Sequence, residues 1–246
     1  MRDTRLGLIL SFLYLAIPAG AWSPATEEAI ARTAFRISPP HLVKLAEIHE
    51  GAFEQGMRDA ARHEQERLAV HLGADRGALE RLLRREIDQA VQIMRERRPI
   101  EEFVYQLGVV AHLTADLNHP IHVGSDERLD AKRIDYEQYL ERRRARFPTV
   151  FYGIESPRTL DRVIRRARAR SRTYEPLLRS EYFRGGASRW SRQFDDRSTA
   201  FAIASLSWSH SVSDLVNIYY EIWRQVGGDT GNASLLRPGL LKGGPN

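Results

Sequence analysis

The chain has 246 residues, of which 42% are hydrophobic and 28% are charged, and its formal net charge is +5. This length suits one domain with a filled core, and this balance excludes a disordered chain and a protein with several membrane spans. There is no cysteine, so no disulfide can form, and any metal site must use histidine, carboxylate or backbone ligands.

Residues 1–21 have the pattern of an export signal. Two arginines precede an apolar run over residues 6–17, and small residues follow up to Ala21. Cleavage after Ala21 would make Trp22 the N-terminus of a secreted or periplasmic protein. A retained membrane anchor is the alternative, although the apolar run is shorter than the roughly 20 residues that a span needs.

The rest of the chain shows helical periodicity, with no alternating strand pattern and no glycine-rich phosphate loop. We predict helices over these residues: 26–36, 41–71 with an interruption near Gly51 or Gly56, 79–97, 100–117, 128–146, a basic helix ending near 170, and 198–226. The sequence therefore predicts an all-α fold with one helical domain over 22–226. A flexible tail is expected over 227–246, which is rich in glycine, asparagine and proline.

The most apolar internal helix, 100–117, leads into the segment HLTADLNHPIH at 112–122. His112 and Asp116 are four residues apart and therefore lie on the same helix face. A proline then turns the chain, so that His122 can approach the same place from outside the helix. Because a buried aspartate needs a partner, this pattern predicts a divalent metal site. Polar contacts at a helix end are the alternative.

The motif His-x3-Asp-x3-Pro-x-His resembles the core of the bacterial zinc-dependent phospholipase C family, which is related to the zinc-dependent single-strand nucleases. Residues 22–31, WSPATEEAIA, are similar to the mature N-terminus of that family. There, a tryptophan freed by signal cleavage binds zinc through its amino group and carbonyl. The resemblance covers about residues 22–141. It implies an all-helical domain with up to three zinc ions, in which a zinc-bound hydroxide hydrolyses a phosphodiester.

Carried onto this chain, the resemblance implies a first zinc site with four side-chain ligands: Asp59, His71, His112 and Asp116. His63 competes with His71, because it lies one turn after Asp59, and both histidines could instead be exposed polar residues. Asp59 and Asp116 would orient the metals, and Asp59 would also help to take a proton.

A further zinc would be held by Trp22, by the residue five positions later, and by Asp116 as a bridge. The family has histidine at that fifth position, whereas this chain has Glu27. A carboxylate can also ligate zinc. The alternative is that Glu27 only favours the first turn of its helix.

The remaining zinc would take His122 and Glu137. Arg133 stands where the family has a histidine, and its guanidinium cannot ligate because it stays protonated. Asp130 or Glu141 could substitute as a ligand. Arg133 could instead hold the substrate phosphate, or form a surface ion pair with Glu137.

The sequence thus predicts an exported zinc-dependent phosphodiester hydrolase of the phospholipase C type. Phospholipid is the first substrate choice, because Glu137 matches the phospholipase branch and the Asn-Leu-His-x2-Trp-Asp element and cysteines of the nuclease branch are absent. Single-stranded nucleic acid is the second. A degenerate zinc-binding member without turnover is the main alternative, since Glu27 and Arg133 depart from the family.

Two further expectations concern surfaces. His119 is predicted to lie at the mouth of the site, facing substrate or solvent. The arginine-rich stretches 142–146 and 162–172 could contact lipid head groups, other phosphate groups or nucleic acid, or could be solvated helix faces. A nonenzymatic, membrane-associated helical protein remains a third alternative if residues 1–21 are retained.

Overall fold

The computed structural model describes residues 22–71, 77–154, 160–231 and 238–241, with side chains throughout except at 63–71. The fold within these ranges is all-α apart from one pair of two-residue strands, as the sequence predicts. The α-helices there are α1 (Pro24–Phe35), α2 (Pro40–Ile48), α3 (Glu50–His71), α4 (Ala78–Arg95), α5 (Ile100–Leu117), α6 (Pro120–Val123), α7 (Glu127–Asp130), α8 (Arg133–Arg143), α9 (Leu160–Tyr182) and α10 (Thr199–Gln225). Short 3-10 turns occupy Arg144–Arg146, Arg184–Gly186 and Ser191–Gln193.

Helix α5 is the central element. It begins directly after Pro99, whose backbone carbonyl accepts the first helical hydrogen bonds, and it ends before Pro120. Every residue from 110 to 117 is buried, so this half of the helix has no solvent face. Helices α1, α3, α4, α9 and α10 pack around it. The polar residues of the candidate metal segment therefore lie in the interior of the domain.

Several helix boundaries differ from those predicted. The predicted helix 128–146 is divided into α7, α8 and a 3-10 turn, and the basic helix α9 continues past residue 170 to Tyr182. Helix α1 starts two residues early, because the Ser23 hydroxyl accepts the backbone N–H of Thr26 and Pro24 occupies the first turn. The long segment 41–71 is interrupted at His49, whose backbone angles are not helical, two residues before Gly51, as predicted for this region.

Gly56 and Gly108 instead bring α3 and α5 into close contact. A Cβ on Gly108 would lie 2.0 Å from the carbonyl oxygen of Phe53, and one on Gly56 would lie 2.0 Å from that of Tyr105. No side chain larger than hydrogen fits at either position. The two glycines fix an antiparallel pairing of α3 with the N-terminal half of α5.

The strands are β1 (Val150–Phe151) and β2 (Gly239–Leu240), paired antiparallel with Val150 opposite Leu240. A strand of two residues is too short to show an alternating pattern, so these strands were not predicted. None of the described helices is long and apolar enough to cross a membrane. The predicted export signal at residues 1–21 lies outside the described residues.

Replacing Gly108 by alanine should destabilise the fold, because the new methyl group must push α3 away from α5. We expect a loss of about 1–3 kcal/mol in the free energy of unfolding, as for other overpacked positions. Gly51→Ala is the matched control, since nothing lies within 4 Å of a Cβ there. Chemical denaturation of both variants measures the difference, and equal stabilities would contradict the close approach of α3 and α5.

Candidate metal centre

Helix α5 places His112 and Asp116 one turn apart on one face, as their spacing predicts. The Nε2 atom of His112 lies 3.0 Å from Oδ2 of Asp116, and both side chains are completely buried. The separation is set by regular helical backbone, so the pair is held by α5 itself.

Helix α1 brings Glu27 to the other ring nitrogen of His112. Its Oε2 atom lies 3.0 Å from Nδ1 of His112, and the residue is 5% exposed. Glu27, His112 and Asp116 offer ligand atoms that all lie within 4.8 Å of one another. We call these three residues the metal cluster. If one ring nitrogen of His112 ligates an ion, the other ring nitrogen carries a proton. The carboxylate that faces this second nitrogen accepts a hydrogen bond from its N–H.

The electrostatics of the cluster favour a cation. Burial opposes the charged imidazolium, but the Asp116 and Glu27 carboxylates outweigh it and hold the pKa of His112 well above its usual 6.5. The proton on His112 therefore supplies the positive charge that two buried carboxylates require. A divalent ion would replace this proton, since histidine ligates as the neutral imidazole. The oxygen and nitrogen donors fit zinc, but they do not identify the ion.

His122 borders the cluster on the side of Asp116. Pro120 starts the short helix α6, which turns the chain back towards α5. The Nε2 atom of His122 lies 3.9 Å from Oδ2 of Asp116, and the His122 side chain is 2% exposed. His122 therefore approaches Asp116 from outside α5, as predicted. It does not belong to the metal cluster of Glu27, His112 and Asp116.

His119 does not lie at a mouth, contrary to the prediction, because it is completely buried. Its ring packs edge-on against Trp22 and Tyr136, and its Nδ1 accepts the backbone N–H of His122. These contacts make His119 the residue that shapes the turn between α5 and α6.

Trp22 is held by its side chain next to the cluster. The indole N–H donates a hydrogen bond of 2.9 Å to the carbonyl of Ala115, and the residue is 1% exposed. This fixes the start of the described chain beside the helical turn that carries Asp116. Zinc ligation by the amino group and carbonyl of Trp22 stays a prediction, because it requires cleavage after Ala21.

Glu137 faces the same interior from α8. Burial raises the pKa of its carboxyl to about 8, although Arg133 and His122 oppose the shift. Within the described part of the chain, no hydrogen bond reaches its buried Oε1 atom. The nearest guanidinium nitrogen of Arg133 is 3.8 Å from this oxygen. The pair is therefore not a surface ion pair, since the Glu137 side chain is only 13% exposed.

Asp130 and Glu141, the two candidate replacements for a histidine at position 133, bind other side chains. Asp130 lies 3.4 Å from Nε of Arg133 and is 37% exposed. Glu141 accepts hydrogen bonds from the hydroxyls of Ser23 and Thr26, the latter at 2.6 Å. Partial burial raises the pKa of Glu141, but these donors outweigh it and the pKa falls below its usual value. Glu141 thus ties α8 to the first turn of α1.

Asp59 is not brought to the cluster, which corrects the prediction that it is a ligand and a catalytic residue. Its carboxylate accepts hydrogen bonds from Gln55 at 2.7 Å and from the Tyr105 hydroxyl at 3.3 Å. Tyr105 lies about two turns before His112 on α5. The antiparallel pairing of α3 and α5 carries Asp59 away from the cluster. The side chains of His63 and His71 lie outside the described residues.

A network that the sequence analysis missed supports the C-terminal end of α5. Asn118 donates to Asp214 on α10 at 3.1 Å, and Arg170 on α9 forms an ion pair with the same carboxylate. Burial raises the pKa of Asp214, and Arg170 and Asn118 limit the rise. The signal was present in the sequence: Asp214 is a single acid in an apolar stretch of the last helix, which indicates a buried charge with a partner.

Comparison of the chain with protein-family models, with curated proteins and with solved structures finds no match.

Replacing Glu27 by glutamine should weaken zinc binding by more than about 100-fold, because even partners of metal ligands contribute about 10- to 100-fold. Glu28→Gln is the matched control: Glu28 is the next residue of α1, but it is exposed and pairs with Arg32. Titration with zinc against a competing chelating dye measures both affinities. Equal affinities of the two variants would remove Glu27 from the site.

Metal binding should strengthen as the pH rises. The pKa of His112 is higher in the folded state than in the unfolded state. Its ion pairs therefore stabilise the metal-free fold fully below about pH 6.5. This stabilisation is lost as the pH rises through the folded-state pKa. Because zinc replaces that proton, the increase in Tm caused by saturating zinc should grow from about pH 6 to about pH 9. Thermal unfolding with and without zinc tests this, and a constant difference would contradict it.

Proposed function

We propose that this protein is an exported, zinc-dependent hydrolase that cleaves a phosphodiester, with phospholipid as the substrate class. The observation that carries the proposal is the buried metal cluster with Glu137 and Arg133 beside it. Phosphodiester hydrolysis needs a cation, a group that binds the phosphoryl oxygens and a proton donor for the leaving oxygen. These side chains can supply all three.

The cluster is suited to hold the cation. Glu27 and Asp116 provide negative charge in a low-dielectric interior, and His112 provides a neutral nitrogen once its proton is released. When bound, the ion would act as a Lewis acid that activates water and polarises the phosphoryl oxygen. Asp116 lies against both His112 and His122, so it can orient both imidazoles.

Arg133 is suited to bind the substrate phosphate. Its side chain is 20% exposed and lies next to the buried carboxyl of Glu137. A guanidinium can donate two parallel hydrogen bonds to phosphate oxygens, which a histidine at this position could not do. The resemblance implies a zinc-binding histidine at position 133. In this proposal, Arg133 replaces that zinc ligand with a group that binds phosphate.

Glu137 is suited to donate the proton. With a pKa of about 8, its carboxyl is mostly protonated at neutral pH. As water adds to phosphorus and the bond from phosphorus to the leaving oxygen breaks, the proton held on Glu137 passes to that oxygen, and the carboxylate so formed takes the proton that the attacking water releases. Asp59 takes no part, because its carboxylate is bound to Gln55 and Tyr105.

A metal-binding protein without turnover is the second candidate, and the burial of the cluster favours it. His112 and Asp116 have no exposed surface, and the side chain of His122 is 2% exposed. A phosphodiester cannot contact side chains that have no exposed surface. The hydrolase proposal therefore requires the interior to open between α6 and α8 when substrate binds.

The deciding experiment is zinc analysis followed by hydrolysis assays on phosphatidylcholine and single-stranded DNA. We expect zinc-dependent release of phosphocholine, and we expect Glu137→Gln to lower kcat by about 100- to 10,000-fold while the zinc content stays the same. Glu28→Gln serves as the control with unchanged kcat. Bound zinc without turnover of either substrate would establish the second candidate, and cleavage of DNA alone would replace phospholipid as the substrate.

A further inference from the structure

Helix α9 carries a row of arginines on its solvent face. We call the exposed residues Arg162, Arg165, Arg166 and Arg172 the arginine row. The other three arginines follow Arg162 by three, four and ten residues, and these spacings place all four on one side of the helix. The same side continues with neutral residues: Ala169, Thr173, Pro176, Leu177 and Ser180. Asp161 lies one turn before Arg165 at the edge of this face, and its carboxylate bonds to Arg84.

The other arginines of α9 form ion pairs with acids of neighbouring elements. Arg168 forms an ion pair with Glu80 on α4 at 3.0 Å, and Arg170 forms one with Asp214 on α10. Arg179 pairs with Asp126 at 2.6 Å. The helix thus separates its arginines into a set that holds neighbouring helices and a set that faces solvent.

The acids closest to the row form ion pairs with other arginines. A cleft of about 420 Å³ between α4 and α9 contains Arg165 together with Glu80, Asp88 and Asp161. Asp88 and Asp161 both bond to Arg84, at 3.2 and 2.9 Å, and Glu80 bonds to Arg168. Two arginines thus compensate two of these three carboxylates, and the one negative charge left over does not cancel the four positive charges of the arginine row.

Three members of the row make no ion pair or hydrogen bond with their side chains in the part of the chain that the structure describes: Arg162, Arg165 and Arg172. They span ten residues of helix, which is about 15 Å. Folding does not account for three charged guanidiniums in one line, because none of them holds another element in place. Complementarity to an external anion does account for them.

We propose that the arginine row is a docking surface for an anionic lipid bilayer. A bilayer presents phosphate groups in a plane, and guanidiniums along one straight face can each contact one. Leu177 lies on the same face and is 49% exposed, so it can enter the interface beside the head groups. The row contains no aromatic side chain, whereas single-stranded nucleic acid is bound by stacking of bases on aromatic rings. The surface therefore fits lipid better than nucleic acid, and it does not depend on turnover at the metal cluster.

Vesicle sedimentation of the full chain tests the proposal, with EDTA present so that hydrolysis cannot alter the lipid. Vesicles of phosphatidylcholine alone are compared with an equimolar mixture of phosphatidylcholine and phosphatidylglycerol. The variant Arg162→Gln/Arg165→Gln/Arg172→Gln should bind the mixed vesicles about 100-fold more weakly, since each arginine near an anionic surface contributes roughly fivefold.

The matched control is Arg95→Gln/Arg192→Gln/Arg197→Gln, which removes the same charge from exposed positions elsewhere. We expect it to bind mixed vesicles within a few-fold of the unmodified chain, and circular dichroism confirms that both variants are folded. Equal losses in the two variants would overturn the proposal, because binding would then follow net charge alone. Displacement of the chain from mixed vesicles by an equal phosphate concentration of single-stranded oligothymidylate would also overturn it, in favour of nucleic acid.

Discussion

The burial of two carboxylates around one imidazole is the constraint on which the rest of the site depends. Glu27 and Asp116 lie on either side of His112 in an interior with almost no exposed surface. Charges in such surroundings must be compensated, either by the proton on His112 or by a metal ion. Both forms can be folded, but they respond oppositely to pH, because the proton is lost and metal binding is strengthened as the pH rises.

Contacts outside the cluster hold its two helices, α1 and α5, in place. Glu141 binds the hydroxyls of Ser23 and Thr26 and so fixes the first turn of α1, from which Glu27 projects. At the other end, Asn118 and Asp214 hold the last turn of α5 against α10. Surrounding groups of this kind set the orientation of metal ligands and usually contribute to affinity.

The closed interior separates metal binding from catalysis. The cluster needs burial for its electrostatics, whereas a phosphodiester needs room beside Arg133 and Glu137. These two residues belong to α8, which is joined to α1 through Glu141 and contributes one side of the site. A movement of α8 would open the site without disturbing His112 and Asp116, which belong to α5. The activity proposed above would require access beside α8, whereas His112 and Asp116 are held by α5 and Glu27 is tied to α8 through the first turn of α1.

The sequence by itself determined the all-α class, the limits of α5 and the pairing of His112 with Asp116, because these follow from periodicity, prolines and a spacing of one helical turn. Contacts between distant segments are not encoded in local spacing, so only the tertiary structure decided the others. It placed Glu27 on His112, buried His119, and separated Asp59 from the cluster through the glycine-mediated pairing of α3 with α5. A motif predicts which residues share a helix face, but the packing of helices decides which of them meet.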